Sequence, residues 1–193
     1  DGRHIVYVAG GEQTKLWLRD LDSEEPRPLD GTEGARAPFW SPDSQFIGFG
    51  TGDLSVGGGE LKKVSVRGGS ASTVCQLMGN YAGGAWSPDG ESIVFSSGTV
   101  RRLYEVPSRG GSPRLLVEPE ESAKGDRLWT PHFLPLEAGK RALLVAIGEV
   151  FEPEIAIQDM ETGARKVLAR GAKPVYSPSG HILYQTGQLY TAT

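Results

Sequence analysis

Arg36, Tyr81, Arg127, Trp129 and Lys173 are the residues of this sequence best suited to hold a ligand. Three are cationic and two are aromatic. That mixture fits a protein, a peptide or a small anionic ligand, because guanidinium forks pair with carboxylates and aromatic rings anchor contacts. Catalysis finds less material. His4, His132 and His181 are far apart, and no His/Cys spacing of a zinc site occurs. No metal and no cofactor is expected. The chain has no Gly-x-Ser-x-Gly elbow, and the glycine-rich loop, His-Arg-Asp and Asp-Phe-Gly of kinases are also missing. Asp43 and Asp89 resemble a carboxylate pair. They occupy the same place in two repeats, however, where an aspartate side chain ordinarily bonds the backbone of a turn. No catalytic residue is expected.

Such scattered residues meet only if the fold gathers them. Trp40-Ser41-Pro42-Asp43-Ser44 returns as Trp86-Ser87-Pro88-Asp89-Gly90, more weakly as Tyr176-Ser177-Pro178-Ser179-Gly180, and in degraded form at Phe133-Leu134-Pro135. The prolines at 42, 88, 135 and 178 are 46, 47 and 43 residues apart. In each copy an aromatic ends one strand, the Ser-Pro-Asp-Gly stretch turns the chain, and an apolar strand such as Ser92-Ile93-Val94-Phe95 follows. Ser41, Pro42, Asp43, Ser87, Pro88, Asp89, Gly90, Ser177, Pro178 and Gly180 are therefore read as structural turn residues. Arg67-Gly68-Gly69 and Arg109-Gly110-Gly111 recur in phase with them. They read as hairpin turns rather than RNA-binding segments.

Four short antiparallel strands at a period in the forties predict an all-β chain, a β-propeller of four-stranded blades. About 4.5 blades fit at that period: a five-bladed ring or part of a larger propeller. The blades fall near 1–30, 35–78, 83–118, 127–170 and 172–193, with the first and last incomplete. A flexible loop is expected at 53–59 and a charged linker at 119–126. Trp40, Trp86 and Tyr176 are expected between blades, and Cys75 as a small buried hydrophobe. The first strands of the blades line a channel, and the loops before them form one rim. That rim carries Arg36, Tyr81, Arg127, Trp129 and Lys173. If the ring is open, its end blades expose apolar faces through which copies associate.

Bulk properties narrow the function. The net charge of −4 offers no basic field for nucleic acid. No apolar run approaches the roughly 18 residues of a membrane span, so no membrane insertion is expected. The single cysteine forbids an internal disulfide. The chain opens on Asp1 within a repeat, and is expected to be a piece of a longer polypeptide.

The Trp-Ser-Pro-Asp-Gly repeat resembles the TolB-type, WD-like propeller repeat. Gly31 to Asp43, Leu61-Lys62-Lys63-Val64, Gly84 to Gly90 and Leu103-Tyr104-Glu105-Val106-Pro107 resemble, more narrowly, the propeller that follows the kinase domain in bacterial receptor-type serine/threonine kinases. The resemblance implies a non-catalytic, extracytoplasmic (periplasmic) sensor. The alternatives it leaves are an accessory propeller of a prolyl-oligopeptidase-type peptidase and a TolB-like envelope scaffold.

Overall fold

The turn motif is built from side chain to backbone. In the computed structural model, Ser41 Oγ donates to Asp43 Oδ1 at 2.6 Å, and the Gln45 amide donates to the same oxygen at 3.0 Å. The Phe46 amide donates to Ser41 Oγ at 2.9 Å. The second copy repeats this geometry, with Ser87 Oγ to Asp89 Oδ1 at 2.6 Å, the Glu91 amide to Asp89 at 2.9 Å and the Ser92 amide to Ser87 Oγ at 2.9 Å. The serine bonds hold the carboxyls of Asp43 and Asp89 below the ordinary carboxylate range, with backbone amides adding to the effect. Both aspartates are thus consumed by turn formation. Ser44 takes the left-handed backbone (φ 58°) that Gly90 and Gly180 take in the other copies (φ 78° and 88°).

The structure describes residues 2–11, 13–52, 58–99, 102–118, 127–135, 141–148, 152–187 and, for the backbone alone, 189–192. Most of the loop at 53–59 and the linker at 119–126 lie outside the described residues. The described strands form five antiparallel sheets in sequential order. The first holds β1 (His4–Ala9), β2 (Lys15–Asp20) and β3 (Arg27–Pro28). The second holds β4 (Arg36–Trp40), β5 (Phe46–Gly50), β6 (Gly59–Ser65) and β7 (Ser72–Leu77). The third holds β8 (Gly83–Trp86), β9 (Ser92–Ser97), β10 (Arg102–Pro107) and β11 (Arg114–Val117). The fourth holds β12 (Leu128–Phe133), β13 (Ala142–Ile147), β14 (Glu154–Asp159) and β15 (Arg165–Arg170). The fifth holds β16 (Ala172–Tyr176), β17 (Ile182–Thr186) and β18 (Leu189–Ala192).

Burial on both faces of each middle sheet explains why these strands are apolar runs rather than alternating ones. On β9, Ile93 and Phe95 join Leu61, Val74 and Leu77 of the second sheet. Val94 points the other way and joins Leu143 and Val145 of the fourth. On β5, Ile47 and Phe49 pack on Leu16 and Leu18 of the first sheet. Each middle sheet is therefore a blade wedged between its neighbours, and the cores are the seams between blades. Trp86 lies in one seam, and Trp40 packs against another. Cys75 is buried, which pushes its thiol up to about 11.

Polar clamps cross the same seams. Lys63 Nζ donates to the Ser108 carbonyl at 2.8 Å, and Arg27 donates to the equivalent carbonyl of Val66 one blade earlier. The Arg-Gly-Gly stretches form the β6–β7 and β10–β11 turns, and the Gly111 amide bonds Val74 of the preceding blade at 3.1 Å.

The inner row runs β4, β8, β12, β16, each strand packed on the next. This is β-propeller architecture. Among the described residues, the first and last sheets do not pack on each other as consecutive sheets do. Ile5 and Tyr7 on one end blade, and Val175 and Leu183 on the other, remain 36–48 % exposed.

Candidate functional site

The inner strands share a defect that positions the candidate site. In β4, β12 and β16 the pairing register slips, between Arg36 and Phe39, Trp129 and His132, and Ala172 and Val175. Each slip contains one residue followed by proline: Ala37-Pro38, Thr130-Pro131 and Lys173-Pro174. Proline has no N–H to give to the ladder, so the strand accommodates an extra residue as a bulge. The preceding residue takes a left-handed backbone, with φ of 40° at Ala37, 25° at Thr130 and 52° at Lys173. Residues before proline normally stay extended. This is local strain, repeated at equivalent places, and such strain clusters at ligand-binding segments. β8 has Gly84 where the others have proline, and its pairing shows no slip. Thr130 Oγ1 is buried with no hydrogen-bond partner among the described residues.

Arg36 and Lys173 lie on the bulged strands, and Arg127 directly precedes β12. All three are at the end of the inner row opposite the Ser-Pro-Asp turns, because each first strand starts there and runs toward its turn. Lys173 is exposed, and Arg36 and Arg127 are half-buried. Trp129 is half-buried, and its Nε1 donates to the Gly148 carbonyl at 3.1 Å. At the same end a cavity of about 530 Å³ opens between the fourth and fifth blades, lined by Glu152, Arg170, Gly171, Ala172, Gln185 and Thr186 among others.

Tyr81 departs from expectation. It is 7 % exposed, and burial raises its pKa. Gly50 on β5 has no side chain, and the Tyr81 ring fills that space; a Cβ at Gly50 would lie 2.3 Å from Tyr81 Cδ1. Its hydroxyl donates to the Ala37 carbonyl at 3.1 Å. Tyr81 is therefore a buried side chain whose hydroxyl braces the β4 bulge. The bulge residues Ala37 and Thr130 were not singled out from sequence, although a proline two residues before the motif aromatic was a readable signal for them.

The histidines are separately engaged. His4 Nδ1 lies 2.6 Å from Asp20, and His181 Nδ1 lies 3.1 Å from Ser179 Oγ. His132, on β12, hydrogen-bonds the backbone of Tyr176 on β16. Burial depresses its pKa below the ordinary imidazole value, and the Tyr176 bond offsets this only in part. A depressed histidine takes up its proton more readily when unfolded. The stability it allows is complete above the unfolded value of 6.5 and declines as pH falls below it. We expect the urea midpoint to drop between pH 7.5 and 5.5, and to drop less in His132→Gln. Equal drops in both proteins would contradict this.

The fold is that of a β-propeller, and its structural neighbours are TolB-type propellers. TolB from Acinetobacter baumannii superposes with a TM-score of 0.72 at 20 % identity, over 98 % of this chain and 49 % of that one. A putative TolB from Agrobacterium tumefaciens gives 0.74 at 20 %, over 93 % and 68 %. A puromycin-hydrolyzing peptidase of Mycobacterium tuberculosis gives 0.68 at 19 %, over 95 % and 31 %. The chain thus spans about half the length of the Acinetobacter protein. No family model and no curated protein matches the sequence.

Proposed function

We propose that this propeller segment is a recognition module that holds an anionic partner, an acidic peptide or small ligand, at the rim marked by Arg36, Arg127 and Lys173. The observation that carries the reading is the repeated proline bulge. It fixes strained backbone beside these cations on strands held by their pairing within each blade. Rigid placement lowers the ordering cost of binding. Trp129, held by its Gly148 bond, adds a fixed aromatic edge.

In its finer form, the module is the extracytoplasmic sensor of a bacterial receptor-type serine/threonine kinase. The sequence resemblance of its repeats supports this. The likeness to the mycobacterial peptidase favours a second reading, an accessory propeller beside a hydrolase. The TolB likenesses favour a third, an envelope scaffold.

The test is titration of a fluorescein-labelled hexaglutamate peptide. Arg36→Ala/Arg127→Ala is expected to weaken binding about tenfold or more, since a charge-assisted contact is worth about 1.5–3 kcal/mol. Unchanged affinity would remove the rim from the account.

A further inference from the structure

A second candidate site, lined by arginines and glutamates, lies at the other end of the array, where the third and fourth blades meet. Its centre is Glu105 on β10, only 6 % exposed. Glu105 Oε1 accepts from Ser92 Oγ at 2.8 Å and from Arg141 Nη2 at 2.5 Å. Its Oε2 accepts from Arg114 Nη2. Burial works against this charge, but Arg141, Ser92 and Arg114 together outweigh it and hold the carboxyl below its ordinary range. Glu105 is therefore a fully engaged carboxylate that pins two guanidiniums drawn from different blades.

The pinned arginines are not used up. The side chains of Arg114 and Arg141 are 67 % and 41 % exposed, and Nη2 of each is the atom bonded to Glu105. Each guanidinium keeps N–H donors beyond the Nη2 group bonded to Glu105. A cavity of about 390 Å³ opens at this point, lined by Arg109 and Arg114 together with Glu91, Ser92, Glu105 and Ser112. Arg109 is the arginine of the third-blade Arg-Gly-Gly turn. That turn is fixed by the Gly110 amide on Pro107 at 2.9 Å and the Gly111 amide on Val74 at 3.1 Å. Arg109 itself makes no hydrogen bond or ion pair among the described residues.

The lining holds two arginines and two glutamates, Arg109, Arg114, Glu91 and Glu105. Glu105 is already spent on Arg114, Arg141 and Ser92. Arg109 is the cation left without a bonded carboxylate, and one carboxylate group from a ligand matches it. A doubly charged phosphate would overshoot it and face Glu91. A guanidinium held in place presents its free edge as a fork to a carboxylate with little further ordering.

We propose that this cavity is a binding site for a single carboxylate group, taken between Arg109, placed by its turn, and Arg114, anchored by Glu105. The site is separate from the rim and does not depend on the function proposed there.

The experiment follows the arginine side-chain Nε–H resonances of the full chain by NMR during titration with sodium acetate, against sodium chloride at matched ionic strength. Saturable shifts at Arg109 and Arg114 are expected with acetate alone. Arg109→Ala and Arg114→Ala should each weaken binding about tenfold, and Arg36→Ala should leave it unchanged. Arg109 sits in a turn and Arg114 is mostly exposed, so both variants keep Glu105 paired with Arg141 and Ser92. Displacement of acetate by a capped Gly-Glu-Gly peptide would support the site with a peptide side chain as the source. Saturable acetate binding without displacement would support it with a free small carboxylate. Shifts that do not saturate, or that match chloride, would overturn the proposal, as would inorganic phosphate binding more tightly than acetate.

Discussion

Phe95→Ala is expected to cost the fold about 3–5 kcal/mol, the usual range for emptying a fully buried aromatic site. Phe95 is 0 % exposed at the seam between the second and third blades. Its ring stacks on Tyr104 with centroids 5.8 Å apart. Truncation removes the transfer energy of the ring and leaves a cavity that strands bonded on both sides cannot collapse into. At roughly 2–4 °C per kcal/mol for a domain of this size, the midpoint should fall by about 10 °C. Leu115→Ala, at a side chain 46 % exposed, should change stability by no more than about 0.5 kcal/mol. Thermal melts of the two variants check this. Similar losses in both would mean that the seam is not where stability resides.

Gly50→Ala should cost about 1–3 kcal/mol, the penalty for overpacking a filled site. The added Cβ would lie 2.3 Å, 2.6 Å and 2.7 Å from Cδ1, Cγ and Cε1 of Tyr81. These atoms include the base of the ring, so no flexible tip can give way. The ring is also held at its far end by the bond to the Ala37 carbonyl. Movement of Tyr81 would therefore disturb the β4 bulge, and the effect should reach the rim. Tyr81→Ala in the same chain opens the space again. The double variant should then lose less than the sum of the single losses, a non-additivity of 0.5 kcal/mol or more. Strict additivity in urea unfolding would show that the two residues do not share the space.

The repeat made the fold readable. Ser-Pro-Asp turns, Arg-Gly-Gly turns and apolar second strands depend on neighbours a few residues away, so local chemistry reveals them. The ends at which Arg36, Arg127 and Lys173 stand followed from the same phase. The burial of Tyr81 is not legible locally, because its surroundings depend on Gly50, on a strand of the preceding blade 31 positions earlier. A missing side chain leaves no local signature of what fills the gap. The bulges were written in the sequence as Ala37-Pro38, Thr130-Pro131 and Lys173-Pro174, but only the register slips show that they are equivalent. Glu105 carried a hint of its own, a charge between Tyr104 and Val106 inside an apolar run. Its partner Arg141 lies 36 residues away on another blade, beyond any local pattern.

Hydrogen exchange of the chain with and without the hexaglutamate peptide tests the proposed recognition at the end of the inner row where the proline bulges lie. Exchange should slow at 34–37, 127–130 and 171–173, with little change at the Ser-Pro-Asp turns of 41–44, 87–90 and 177–180. Protection confined to those turns, with none at the bulges, would contradict it.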